Sequence, residues 1–329
     1  MTDGHDTVRD LLGAYALDAL TPGEEKLLSE HLAGCADCAA EADSLRAVVG
    51  ALDGPHAAAW DGPPGTAVLA TAVRRRSPAR RTAAHAAPYA AAVSALEALL
   101  READERGAWH VPVIHGWDVQ GTVAHLLAAD EPLRRLVDGG EPDTPPLPWR
   151  EEWAARTASV IAYEAGFPPA ETRARWRAQA QALLASRPAQ DPDAATARVT
   201  LLGMPLPLAD HFLVRAFETW IHTDDIGRAL GVPVPAPPTD QLGLMVDLGL
   251  RLLTAALRGV VPAVRLTVGG HAPVLLGTAP ARADVTLDPL DFCFLIGDRL
   301  APARVPHRRT GDEAAASSVL RRAASLAWL

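Results

Sequence analysis

Lysine is nearly absent from this chain: Lys26 is the only one, beside thirty arginines, and acidic residues outnumber basic ones 40 to 31, for a net charge of −9. Phosphate binding needs a basic face, so nucleic acid is not expected as the main partner, while a basic protein partner stays open. Cysteine is scarce too, at three residues, two of them close together. That supports no disulfide framework and points to a reducing cytoplasm. Long apolar runs are also missing. The most apolar window, Leu242 to Val261, is interrupted by Asp247, Arg251 and Arg258, which suits a buried helix and not a membrane span. No charged start followed by an apolar stretch and a small-residue cleavage site is visible, so no secretory signal is expected.

What is present is an alanine-rich chain of 329 residues, 49% hydrophobic and 22% charged, long enough for two or three domains. In residues 1–73, apolar positions recur at helical spacing over Val8–Leu20, Glu24–Gly34 and Ala39–Leu52. Thr21 with Glu24 three residues later makes a capping box, with Pro22 at the first helical position, and a fourth short helix is predicted at Thr66–Val73. Helices this short need something to hold them together. Residues 74–82, containing RRRSPARR, read as a solvated linker in preference to a phosphate or partner contact. Residues 83–232 carry further helical stripes separated by proline or glycine, the pattern of a helical bundle. Residues 235–329 open on a long helix, Thr239–Leu257, and then alternate as strands in AVRLTVGG, APVLLG and ADVTLD. The helices PLDFCFLIGDRL and GDEAAASSVLRRAASLAWL flank a short VPHR segment, completing a small α+β domain. The expected fold class is mainly α.

The two neighbouring cysteines lie in EHLAGCADC, Glu30 to Cys38. The spacing H-x3-C-x2-C puts His31 and Cys35 one helical turn apart, with Cys38 on the next turn, where one helix ends and another begins. A closed structural zinc site takes four ligands in a tetrahedron, so the triplet lacks one. His5, just before the first helix, is the best candidate; His56 is also within reach. Two imidazoles and two thiolates suit zinc, and the bland alternative is a pair of small buried thiols beside a surface histidine. The stretch HDTVRDLLGAYALDALTPGEEKLLSEHLAGCADCAAE resembles the zinc-binding anti-sigma-factor domain of bacteria, whose pattern is a histidine or cysteine, twenty-five residues, then H-x3-C-x2-C; His5 and His31 leave that gap. The resemblance implies a small helical module that clamps an extracytoplasmic-function sigma factor and blocks its access to RNA polymerase. The best-known redox-sensing members have cysteine where this chain has His5, so a structural zinc is expected over a redox switch.

A second constellation lies in FETWIH, where Glu218 and His222 share one face of a helix. The same stripe carries His211, Arg215 and Asp225, and is too polar to be buried without a purpose. His125, inside a helix that Asp118 can cap, is the natural third member. Two histidines and a carboxylate can hold a divalent metal with positions left open for water or substrate, and Asp224, Asp225 or Asp130 can orient the imidazoles. The alternative is a core histidine bonded to a carboxylate, next to an ion pair. From Ala83 onward the chain resembles the mycothiol-dependent maleylpyruvate isomerase family, a DinB-like four-helix bundle followed by a small sterol-carrier-like α+β domain. The matching stretches are W-D-V-x-x-x-V-A-H-L around His125, R-x-x-E-x-W-x-H-x-x-D from Arg215 to Asp225, A-D-V-T-L-D-P from Ala283, L-I-G-D-R ending at Arg299, and the late G-D-E.

In that family the corresponding residues bind zinc, roles that fall on His125, Glu218 and His222. The resemblance implies that mycothiol thiolate adds to an activated cis double bond, allows rotation, and leaves to give the trans isomer; other members transfer the thiol to electrophiles. Arg299 would hold an anionic substrate group bidentately, although the family shows G-R where this chain has Gly297-Asp298-Arg299, and the inserted acid is expected to weaken that role.

Three functions are compatible with these features. The expected one is a cytoplasmic zinc-binding anti-sigma factor coupled to a mycothiol-enzyme-like metal-binding sensor or enzyme domain. The alternative is a mycothiol-dependent isomerase or thiol transferase with an accessory zinc finger, and a third reading treats both metals as folding staples of a scaffold. The expected cofactors are a structural zinc, a second divalent metal, zinc by resemblance, and mycothiol. The expected partners are a sigma factor and a small thiol or electrophile, with no direct nucleic acid contact and no membrane. Cys293, in an apolar helix, is expected to be a core residue.

Overall fold

A computed structural model describes residues 3–17, 19–53, 82–140, 149–259 and 262–325. The chain divides into two compact units, Met1–Ala72 and Val73–Leu329. The helix expected at Thr66–Val73, the arginine run Arg74–Arg81 and His56 lie outside the described residues.

The first unit holds α1 (Asp3–Ala16), α2 (Pro22–Leu32) and α3 (Ala36–Asp53). At the start of α2 the Thr21 backbone N–H and hydroxyl donate to the Glu24 carboxylate at 2.9 and 2.6 Å. These bonds hold Glu24 below the ordinary carboxylate range. Val8, Leu12, Leu28, Cys38 and Ala42 are buried, with Leu11, Tyr15, Leu20, Leu32, Cys35 and Leu45 packed around them. A core of this size does not by itself hold three short helices in place.

The second unit begins with α4 (Ala87–Arg106). A two-stranded hairpin follows, β1 (Pro112–Ile114) and β2 (Trp117–Asp118), leading into α5 (Val119–Val137). His115 and Gly116 form its turn with φ of 55° and 79°, and Asp118 caps α5 by accepting from the Gly121 N–H at 2.8 Å. Next come α6 (Trp149–Glu164), α7 (Pro169–Ala185) and the short α8 (Arg187–Gln190). A second hairpin, β3 (Arg198–Leu201) and β4 (Met204–Pro207), precedes α9 (Leu208–Leu230). Its turn, Leu202–Gly203, is again left-handed, at 51° and 73°. In the bundle, α9 packs on α4 and α5, and α5 on α6 and α7. The sequence pattern did not reveal either hairpin, because the strands are two to four residues long and two of them carry proline.

The remaining elements are α10 (Thr239–Leu257), β5 (Pro262–Val268), β6 (Val274–Leu276), β7 (Thr278–Leu287), α11 (Pro289–Ile296), β8 (His307–Gly311) and α12 (Glu313–Ala324). The sheet runs β6-β5-β7-β8, with β5 and β7 parallel and the other pairs antiparallel. Val264, Leu266 and Val268 pair with Ala283, Val285 and Leu287 on the buried face, while Arg265 meets Asp284 outside at 2.7 Å. One apolar cluster runs from Ala86 to Ala324, so bundle and sheet share a core, and it includes Cys293. Gly297 lets the end of α11 seat closely on α9: a Cβ there would lie 3.4 Å from both Phe217 and Ile221 and 3.2 Å from the Cys293 carbonyl. The mainly α fold expected from the sequence is what the chain adopts.

Candidate metal centres

In the first unit, ligand atoms of His5, His31, Cys35 and Cys38 all lie within 4.8 Å of one another. His5 is on α1, His31 on the last turn of α2, and Cys35 and Cys38 bracket the start of α3. The rings of His5 and His31 meet edge to face with centroids 4.8 Å apart, and Nδ1 of His5 is 3.5 Å from Sγ of Cys38. Nε2 of His31 is buried without a hydrogen-bond partner among the described residues. The backbone N–H of Cys38 lowers the Cys35 thiol pKa, whereas burial raises that of Cys38. Two imidazoles, two thiols and an orphaned buried nitrogen fit a tetrahedral zinc.

In the second unit, α5 supplies His125 and successive turns of α9 supply Glu218 and His222, all buried, with ligand atoms again within 4.8 Å of one another. Nε2 of His125 is 2.9 Å from Glu218, and Nδ1 of His222 is 3.0 Å from Asp225, yet neither nitrogen makes an aligned hydrogen bond. Burial pushes both imidazoles down to about 3, and the nearby Arg215 cation adds to the effect on His125. Both rings are therefore neutral at ordinary pH, the form that ligates a metal. Trp117 stacks on His125 with centroids 4.8 Å apart, and the two histidine rings meet at the same distance.

Polar side chains hold these groups from behind. Arg215 pairs with the other oxygen of Glu218, lies 3.1 Å from Asp130, and donates to the Ala129 carbonyl at 2.8 Å. The Tyr89 hydroxyl donates to Asp130 at 2.6 Å. On the other side, Asp225 receives Nε and Nη2 of Arg299 at 2.6–3.1 Å. Burial alone would raise the Asp225 carboxyl, but the adjacent His222 ring and the hydrogen bonds from Arg299 hold it below its usual range. Arg299 also donates to the Gly297 carbonyl at 2.5 Å, and it reaches the centre through Asp225. Of the other residues singled out, His211 on the expected stripe turns away to the Val199 carbonyl at 3.2 Å, and Asp224, expected as a group that could orient an imidazole, pairs with Arg228 at 2.7 Å.

The second centre opens on a cavity of 290 Å³ whose walls include His115, Trp117, Trp153, Thr157 and Ile161. Sequence reasoning missed His115, Trp153 and Thr157. The His115–Gly116 pair between short apolar stretches was a turn signal that could have placed the first of them. A wider cleft of 910 Å³, walled by Leu213, Leu244 and Leu250, holds none of these residues.

A zinc-finger family model matches residues 6–39, and the model of the mycothiol maleylpyruvate isomerase N-terminal domain matches residues 89–227. Two uncharacterized proteins from two strains of Mycobacterium tuberculosis are each 27% identical over 213 residues, covering 60% of this chain and 79% of the relative. Crystal structures of mycothiol-dependent maleylpyruvate isomerase and of a histidine-to-alanine mutant superpose with TM-scores of 0.51 and 0.52 at 18% and 17% identity, over 69% of this chain and 92% of theirs. Residues 6–39 are thus similar to a zinc finger, residues 89–227 to the N-terminal domain of mycothiol maleylpyruvate isomerase, and the second unit shares the fold of that isomerase. Among the described residues, no helix is long and apolar enough to cross a membrane.

Proposed function

We propose that the first unit holds a structural zinc through His5, His31, Cys35 and Cys38 and binds an extracytoplasmic-function sigma factor. In the same proposal, the second unit holds a further divalent metal, zinc by its ligand types, at His125, Glu218 and His222 and serves mycothiol-dependent chemistry or thiol sensing. The observation that carries this reading is the pair of ligand-atom clusters, each within 4.8 Å, in one chain. A divalent metal held by three protein ligands keeps a position open and lowers the pKa of a thiol or water bound there. The chain's own residues supply the rest. Asp225, fixed by Arg299, sets the ring of His222; Arg215 sets Glu218; Trp117 covers His125. Arg299 acts in this reading as a positioning residue.

Metal content per chain tests the proposal in wild type, Cys35→Ser/Cys38→Ser and His125→Ala/His222→Ala. Two zincs, one lost with each pair, are expected; a wild type without zinc overturns both halves. The regulatory half expects a stable complex between the full chain and a sigma factor of its own cell, lost in the cysteine variant, and it fails if no such complex forms. The buried centre and its cavity also favour an enzymatic reading, in which metal-dependent turnover of a thiol with an electrophile disappears in His222→Ala.

A further inference from the structure

The wider cleft of 910 Å³ lies apart from both ligand clusters, between the start of α9, one face of α10 and the strand β6. Its apolar walls come from Leu213 of α9, from Leu244, Leu250 and Ala255 of α10, and from Val274 of β6. No Phe, Tyr or Trp lines it, so the walls are aliphatic and offer no flat aromatic face for a ring to stack on. A concave, mostly apolar space of this size with a few polar groups along it is what a small-molecule site requires. Leu244 is 38% exposed, which leaves part of this apolar wall in water.

Charge is laid out unevenly along the cleft. Asp247, Arg251, Thr254 and Arg258 recur every three or four residues, so all four stand on the side of α10 that lines it. Three of them already have partners. One Asp247 oxygen is 2.7 Å from Nδ1 of His271, and Arg251 donates through Nη1 and Nη2 to the two oxygens of Asp210 at 2.8 and 2.7 Å. The Thr254 hydroxyl donates to the Leu250 carbonyl at 2.6 Å. His85, on the opposite wall, has its Nε2 on the Pro188 carbonyl at 2.8 Å. Arg258 has neither a hydrogen bond nor an ion pair among the described residues. The unbalanced charge is therefore a cation, and it stands at one end: Asp247 and Arg258 are about 16 Å apart at the helical rise per residue.

We propose that this cleft binds an aliphatic monocarboxylate, with its carboxylate on the Arg258 guanidinium and its hydrocarbon body along Leu250, Leu213 and Leu244. The planar guanidinium matches a carboxylate through two parallel N–H donors. Release of water from the aliphatic walls drives binding of the body, and the arginine selects the acid over an uncharged compound of the same shape. The negative Asp247 at the far end sets the direction, since a carboxylate placed there would be repelled. The acid is held and not transformed, and the site stands independently of either metal cluster.

The test titrates the full chain by calorimetry at neutral pH with octanoate and with octan-1-ol, which has the same chain and no charge. Octanoate is expected to bind roughly tenfold more tightly than the alcohol. Arg258→Met keeps an apolar stem and removes the cation, so it should bring octanoate down to the level of the alcohol and leave the alcohol unchanged, while Arg258→Lys restores part of the difference. Leu244→Gln should weaken both probes alike. Arg258 and Leu244 are both exposed, and thermal melts of the variants check that they fold as the wild type does. Absence of octanoate binding, equal affinity for acid and alcohol, or octanoate binding that neither Arg258→Met nor Leu244→Gln changes overturns the site. Weakening of both probes by Arg258→Met overturns its role as the carboxylate's partner. Zinc content measured on the same samples reports the metal clusters separately, so failure of that reading is seen as missing zinc and failure of this one as a missing preference for the acid.

Discussion

The cluster at His5, His31, Cys35 and Cys38 rests on a core of five buried side chains, and Cys38 is one of them; the cluster at His125, Glu218 and His222 sits within a core running from Ala86 to Ala324. Around the first, that small core and the ligand groups together link α1, α2 and α3. Around the second, each ligand group has a protein partner before any ion is considered: Glu218 the buried Arg215, His222 the buried Asp225, and His125 the face of the half-buried Trp117. A metal held in the first place would organise the fold, whereas in the second the fold would organise the metal.

Stripping zinc with a strong chelator should give the largest effect and separate the two most sharply. Structural zinc contributes about 10–16 kcal/mol in small finger peptides, so residues 3–53 are expected to lose hydrogen-exchange protection, while residues 82–325 keep theirs. Equal loss in both would erase the contrast. Next in size, Arg215→Met leaves Asp130 and Glu218 without their buried partner at a cost of about 3–5 kcal/mol, or roughly 6–20 °C in the melting temperature of the second unit. Calorimetry checks this, and the zinc of the first unit should be untouched.

Much of this arrangement was legible in the sequence, for particular reasons. H-x3-C-x2-C is a local spacing, and scarce cysteine made it conspicuous. Glu218 and His222 are one helical turn apart, so their shared face was fixed by periodicity alone. The long helix Thr239–Leu257 was bounded correctly, because Pro238 precedes it and its apolar stripe is continuous. What stayed hidden depends on contacts between distant segments. Nothing local says that Arg299 ends on Asp225, that Arg215 serves Asp130 as well as Glu218, or that His211 turns to the β3 carbonyl although it shares their stripe. The hairpins β1–β2 and β3–β4 were too short to show alternation, and Thr157 looked like any helical threonine.

Smaller perturbations refine the comparison. Asp225→Asn removes the charge behind His222 and should weaken metal binding at the second centre about 10–100-fold with little change in folding, read by competition with a chromophoric chelator. No change in affinity would mean that the ring of His222 is held by packing alone. Smallest of all, Thr21→Ala removes a cap at the head of α2 and should cost about 1 kcal/mol, detectable as faster exchange in α2 under limiting zinc.

The contact between Arg299 and Asp225 spans 74 residues, joining the end of α11 to α9. The segment matched by the isomerase family model stops at residue 227, so one support of the His125, Glu218 and His222 cluster is supplied from beyond it. The α+β layer would then be a lever: lifting α11 from its seat on Phe217 and Ile221 would take Arg299 from Asp225, the neighbour of the His222 ring. Affinity for a metal at that cluster would in that sense be set remotely, by a layer that donates no ligand to it.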